Sequence, residues 1–198
     1  FHRYGDNECF DRSIIVIGNE DKPTEKICDD LVDYFKDNHI DAAPGTVGGT
    51  DGAIVDATIK DSTDLHVTPH ENNTIITEYI SALGSALNKY QEKYKMLVRM
   101  SRFTLTSNWN IQHYKAGQGY KDWHCERSSN NKRLIVWMTY LNDVPGGGTE
   151  FLYQKITSPA KKGLTLFWPT DWTHTHRGQI SENHEKYIAT GWLHFVDD

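Results

Sequence analysis

The stretch "RLIVWMTYLNDVPGGGTEFLYQKI", residues 133–156, decides the fold. Its opening run, Arg133 to Leu141, is short and rich in branched and aromatic residues, so it reads as a strand. "DVPGGG" then supplies turn chemistry, because proline fixes φ and glycine accepts backbone angles that other residues avoid. "TEFLYQKI" resumes the extended pattern. The same alternation of short apolar run and turn spreads outward: "NWNIQHY", "LTLFW" and "KYIATGWLHF" are further strand candidates, separated by "AGQG", "SPAKKG" and "SENHE".

Before about residue 100 the period changes. "RSIIVI" (12–17) reads as a short strand, and Pro23 opens a helical pattern in which Ile27, Leu31, Tyr34 and Phe35 share a face. Asn73 or Thr74 caps a longer helix over roughly 75–94, with Ile76, Ile80, Leu83, Leu87, Tyr90 and Tyr94 at three- and four-residue spacing. "DAAPGTVGGTDGA" (41–53) marks a mobile loop. Helices followed by a run of strands predict a mainly β fold with supporting helices: a sandwich or barrel, with the helices packed on one side.

With 198 residues, the chain is expected to form a single domain, 1–198. Its helical N-terminal part would run to about 100 and its β core over about 101–198. A net charge of −6, with basic pairs isolated at Lys132–Arg133 and Lys161–Lys162, argues against a nucleic-acid partner. No apolar run is long enough to span a bilayer, so no membrane partner is expected. "FHRYGDNECF" lacks the apolar core of a signal peptide, although the chain begins without Met, which leaves an upstream segment open. Cys9, Cys28 and Cys125 are too few and too irregular for a disulfide framework or a CxxC zinc site. They point to a reducing, cytoplasmic compartment, with a Cys9–Cys28 bridge as the minor alternative.

"GYKDWHCERSS" (119–129) places His124 and Glu126 two residues apart, hence on one face of a strand and about 6–7 Å apart at the backbone. A lone H-x-E is more often an ordinary polar pair than a metal site. The later stretch "FWPTDWTHTHRGQISENHEKYIATGW" changes the balance. It offers His174 and His176, and then Lys186, ten residues beyond His176 in an otherwise apolar strand. An inward-facing lysine there is costly unless it meets an anion. Two histidines with one carboxylate make the facial triad that leaves coordination positions open, the arrangement of non-haem iron(II) oxygenases.

From about Asn110 to Phe195 the sequence resembles the iron(II)- and 2-oxoglutarate-dependent dioxygenases, in their prolyl 4-hydroxylase-like branch. The resemblance is carried by "HYKAGQGYKDWHCE", "YLNDVPGGGTEF", "FWPTDWTHTHRG" and "KYIATGW", in the family's order and near its spacing. It implies a double-stranded β-helix (jelly-roll, cupin-like) fold with N-terminal helices packed on one sheet. It also implies that His124, Glu126 and His176 bind Fe(II) and carry catalysis, and that Lys186 pairs with the distal carboxylate of 2-oxoglutarate. Tyr114, in the family's Y-x-x-G position, looks like a second contact to this cosubstrate. Thr149 and Thr139 are further pocket candidates, and Trp192 sits where the family often closes the site floor with a large residue.

Three features depart from the family's pattern. The usual H-x-D is H-x-E here, which keeps the charge and oxygen donor and adds one methylene; a retained carboxylate also argues against a halogenase. Tyr120 precedes His124 by four residues where three is commoner. His174 competes with His176, and alternation along a regular strand puts both on one face, but the spacing to Lys186 and the following "RG" favour His176.

The resemblance implies that 2-oxoglutarate and O2 are consumed to give succinate, carbon dioxide and a hydroxylated product, with ascorbate as the reductant. The expected substrate is a peptidyl prolyl residue. A free amino acid or other small molecule is the alternative acceptor, and a non-catalytic jelly-roll binding module the alternative of another class. A cupin-like enzyme using another metal would have no need of Lys186. The glycine-rich loop at 44–52 and the polar "ERSSNNKR" are candidate substrate-contacting loops.

Overall fold

The structure, a computed structural model, describes residues 9–11, 14–17, 23–49, 52–100, 102–105, 107–129 and 131–196. Two helices begin at side-chain caps that satisfy donors their first turns would leave orphaned. Helix α1 (Glu25–Asp37) starts at Thr24, one residue after Pro23, with the Thr24 hydroxyl accepting from Ile27 N–H. Helix α2 (Thr74–Lys93) starts at Asn73, whose side-chain oxygen accepts from the N–H groups of Ile75 and Ile76. A short helix α3 (Lys95–Met100) follows. Among the described residues, no helix is long and apolar enough to cross a membrane.

The strands form two facing sheets, the arrangement of a jelly roll. Among the described residues the major sheet runs β1 (Cys9–Asp11), β2 (Ile14–Ile17), β12 (Thr165–Pro169), β9 (Arg133–Tyr140), β14 (Lys186–Phe195), β8 (Trp109–Tyr114), β6 (Thr63–Val67), β3 (Ala43–Pro44). Neighbours are antiparallel throughout, and β7 (Phe103–Thr104) pairs with the far end of β14. The smaller sheet holds β11 (Ile156–Thr157), β10 (Thr149–Phe151) and β13 (His176–Gly178). A separate hairpin joins β4 (Val47–Gly49) to β5 (Gly52–Ile54).

Strand alternation gives the major sheet two different faces. On one face Trp109, Ile111, Ile135, Trp137, Phe167 and Ala189 are buried beneath α1 and α2, which present Leu31, Phe35, Ile76, Tyr79, Leu83 and Tyr90. On the other face Val136, Met138, Leu166, Trp168 and Ile188 pack against Val144, Phe151 and Ala160 from the smaller-sheet side. The two clusters interleave residue by residue along β9. Gly191 marks the tightest point of the helix side: a Cβ there would lie 2.7 Å from the Trp137 ring and 2.8 Å from Trp109.

Three expectations are corrected here. Thr139 shares the phase of Ile135 and Trp137, so it faces the helices and lies away from the cavity. It is fully buried, accepting from Tyr79 Oη at 2.9 Å and sitting 2.9 Å from Thr165 Oγ1. The stretch 41–53, read as a loop, contributes β3 and most of the β4–β5 hairpin, with residues 50 and 51 outside the description. The segment before residue 100 also supplies β6, which pairs with β8 and extends the major sheet. Cys28 is buried in the helix-side core, while the Cys9 side chain lies outside the described residues.

Candidate metal centre

The centre is built by backbone pairing between two segments far apart in sequence. His124 N–H donates to the His176 carbonyl at 3.0 Å, and His176 N–H donates back to His124 at 2.9 Å. Just beyond, the N–H groups of Glu126 and Arg127 both donate to Thr170 O, at 3.1 and 2.9 Å. With the backbone fixed, the three side chains converge. Glu126 Oε1 lies 3.5 Å from His124 Nε2 and 3.8 Å from His176 Nε2. All three donor atoms lie within 4.8 Å of one another.

The hydrogen bonds behind the rings identify what belongs between them. His124 Nδ1 is 3.0 Å from the carbonyl of Asp122, and His176 Nδ1 is 2.9 Å from the carbonyl of His174. A carbonyl only accepts, so each Nδ1 carries a proton and each ring turns its Nε2 to the centre. His176 is held neutral: burial first, and then the neighbouring His124, bring its pKa down to about 3. For Glu126, burial pushes upward, but the hydrogen bond and charge of His124, with His176 and Arg133, outweigh it and hold the carboxyl at about 2. Two ring nitrogens and an ionised oxygen thus converge at short range. A two-histidine, one-carboxylate donor set of this kind suits iron(II).

The surroundings stiffen this set. The Tyr120 ring stacks on His124 with centroids 3.6 Å apart and planes at 11°. Trp168 meets His176 edge-on at 4.9 Å. His174 is not part of the set. Residues Trp172–His174 form a 3₁₀ turn, which breaks the strand alternation that would have put positions 174 and 176 on one face. The ring of His174 sits 3.0 Å from Thr173 Oγ1, and its contribution to the centre is the backbone carbonyl that orients His176.

The triad opens into a cavity of about 520 Å³ between the sheets. Lys186, Tyr114, Thr149 and Trp192 line it, so four of the five cosubstrate candidates come together there; Thr139 is the exception. Lys186 is 6% exposed and donates to Gly147 O at 3.2 Å and Gln179 O at 3.0 Å. Neither carbonyl balances its charge, and burial lowers its pKa to about 8. Lys60 makes the contrast. It is equally buried and lines the same cavity, but it is paired with Asp64 at 2.5 Å. Lys186 has no ion-pair partner among the described residues, although it directs a cationic head toward the cavity. Tyr114 Oη donates to Gln112 Oε1 at 2.7 Å, and Thr149 Oγ1 lies 2.7 Å from Tyr140 Oη.

Several lining residues escaped sequence reasoning: Asp64, Asn110, Gln112 and Tyr140. Alternation was the available signal, since Asn110, Gln112 and Tyr114 fall on one face of β8 and Tyr140 on the cavity face of β9. Both candidate loops reach the cavity, through Thr46, Val47, Gly48 and Gly52 on one side and Arg127, Ser128 and Asn131 on the other.

The depressed Lys186 pKa sets a pH dependence for any dianion bound there. Tyr114 is the titratable ring facing it, 5.0 Å away, and is neutral because burial pushes its pKa well above the usual value. Below about 8 the ammonium is charged; above it the charge is lost. KM for 2-oxoglutarate is therefore expected to be flat below pH 7 and to rise above pH 8, approaching tenfold per pH unit. Lys186→Arg should flatten this rise, because guanidinium stays protonated. Steady-state kinetics across pH check both curves.

Residues 109–194, which contain the triad and Lys186, match the model of the 2OG-Fe(II) oxygenase superfamily. A search of curated proteins by sequence finds no match. Solved structures share the fold over nearly the whole chain. A Pseudomonas putida prolyl-4-hydroxylase superposes with a TM-score of 0.70 at 13% identity, over 93% of this chain and 94% of that one. A Trichoplax adhaerens prolyl hydroxylase, in complex with a hypoxia inducible factor oxygen degradation domain peptide fragment, gives 0.72 at 14% identity, over 93% and 84%. A viral collagen prolyl hydroxylase from Paramecium Bursaria Chlorella virus-1, in its 2OG complex, gives 0.64 at 20%, over 93% and 97%. The superfamily's sequence pattern spans the triad and solved prolyl hydroxylases share the fold around it, which together support a 2-oxoglutarate-dependent dioxygenase.

Proposed function

We propose that the protein hydroxylates a peptidyl prolyl residue, with His124, Glu126 and His176 holding iron(II) and Lys186 binding 2-oxoglutarate. The observation that carries the cosubstrate assignment is Lys186, a buried ammonium directed at the cavity without a carboxylate partner among the described residues. When bound, iron with 2-oxoglutarate and O2 supplies the oxidising power: 2-oxoglutarate, O2 and R–H become succinate, CO2 and R–OH.

The chain's own residues do the placing. Lys186 neutralises the distal carboxylate, and Thr149 and Tyr114 offer hydroxyls beside it. Val136, Met138 and Ile188 make the adjoining wall apolar, which keeps water from the cosubstrate and strengthens its pairing with the ammonium. Tyr120 and the Asp122 and His174 carbonyls keep both imidazoles aimed inward. Strands from both halves of the chain share one sheet, which supports a single working domain over 1–198. Ascorbate as reductant and a cytoplasmic setting belong to the same proposal, the latter resting on the sparse cysteines.

The peptidyl acceptor is supported by the named neighbours, one of them solved with a peptide, and by a cavity that opens between two loops. A proline-rich peptide library, with free proline and other free amino acids in parallel, tests it by mass spectrometry. A proline-containing peptide should gain one oxygen atom and raise succinate formation above the uncoupled rate. Oxygen gained on a free amino acid alone, with every peptide inert, would replace this acceptor with a small molecule.

A further inference from the structure

The two oxygens of Glu126 live in different surroundings. Oε1 faces both imidazoles, whereas Oε2 accepts from Arg133 Nη1 at 3.1 Å and from the Trp192 indole N–H at 3.0 Å. The two donors brace each other: the Arg133 guanidinium lies 3.6 Å from the centroid of the Trp192 ring. They come from adjacent strands, β9 and β14, so the sheet itself sets their separation. Glutamate needs such a brace more than aspartate does, having one more rotatable bond between backbone and carboxylate. From this backbone an aspartate carboxylate would fall short by about 1.5 Å and would not reach the histidines and the brace together.

We infer that Arg133 and Trp192 are positioning residues that grip the outer oxygen of Glu126, so that this glutamate serves the metal through Oε1 alone. The inference rests on the metal centre proposed above. Its consequence is functional as well as mechanical. A carboxylate free to swing can bind a metal through both oxygens and take a position that the facial triad must leave open for cosubstrate and O2. Trp192, expected from sequence to contact the cosubstrate, is thereby assigned to a metal ligand instead.

The test uses cobalt(II) as an oxygen-insensitive probe, titrated into the whole protein under conditions where its visible absorption reports coordination number. Trp192→Phe keeps an aromatic ring beneath Arg133 and removes the N–H donor. Arg133→Met keeps an apolar stem and removes the donors, and it carries the test if Trp192→Phe fails to fold by thermal melting. Each is expected to weaken cobalt binding on the order of tenfold and to change the absorption bands. In a Glu126→Asp background, where the shorter carboxylate cannot engage the brace, Trp192→Phe should cost nothing further. Unchanged affinity and spectrum in the folded variants would overturn the inference, as would an equal loss in the Glu126→Asp background, which would make Trp192 general support for the pocket. Failure of the metal centre itself looks different: the unaltered protein would not bind cobalt, or His176→Ala would bind it as well.

Discussion

His176→Ala is expected to remove metal binding and succinate formation together, while His174→Ala keeps most of both. The asymmetry follows from what each residue gives the centre. His176 contributes Nε2, 3.8 Å from Glu126 Oε1, and two remaining donors make a poor site for a divalent ion. His174 contributes its backbone carbonyl, 2.9 Å from His176 Nδ1, and alanine retains that group. Metal titration and a coupled succinate assay on the two variants check the ranking. The reverse order would move the ligand assignment to His174.

Lys186→Ala is expected to raise KM for 2-oxoglutarate roughly a hundredfold or more, with metal affinity unchanged. Leaving one member of a desolvated ion pair without its partner costs on the order of 3–5 kcal/mol, and each 1.4 kcal/mol is about a factor of ten. Local compensation is poor. Arg177 is committed to Glu150 at 2.6 Å and stacks on Trp123, and Lys60 is spent on Asp64. Kinetics in 2-oxoglutarate at saturating iron, beside a metal titration, separate the two effects. A normal KM would remove Lys186 from the cosubstrate site.

The parts of this molecule that were legible in sequence are those where one local rule acts alone. Asn73 caps α2 because a short polar acceptor before an apolar helical period has little else to do. The apolar runs at β9 and β14 read as strands because both of their faces are buried. Phase was harder. Thr139 was assigned to the cavity although it sits between Met138 and Tyr140, which do face it. A shift of one residue exchanges the faces of a strand, and nothing local fixes which face is which. Strand β6, "TDLHV", was missed because its cavity-facing residues, Asp64 and His66, are polar and interrupt the apolar signal. Arg133 fell within the candidate loop "ERSSNNKR", but its pairing with Glu126 at the start of that loop has no signature in the sequence. His174 and His176 could not be separated by alternation because the 3₁₀ turn that ends at His174 has no signature of its own in "DWTHTH".

The reciprocal backbone hydrogen bonds between residues 124 and 176 bear on the order of events. They join amide groups and need no ion, so the polypeptide pays the entropy of bringing its ligands together when it folds, before any metal arrives. In small zinc domains the ion organises the chain, and affinity for it is folding free energy in another guise. Here the scaffold comes first and the ion second. Loading is thereby expected to be uncoupled from folding, and a molecule stripped by a chelator to keep its shape for the next ion.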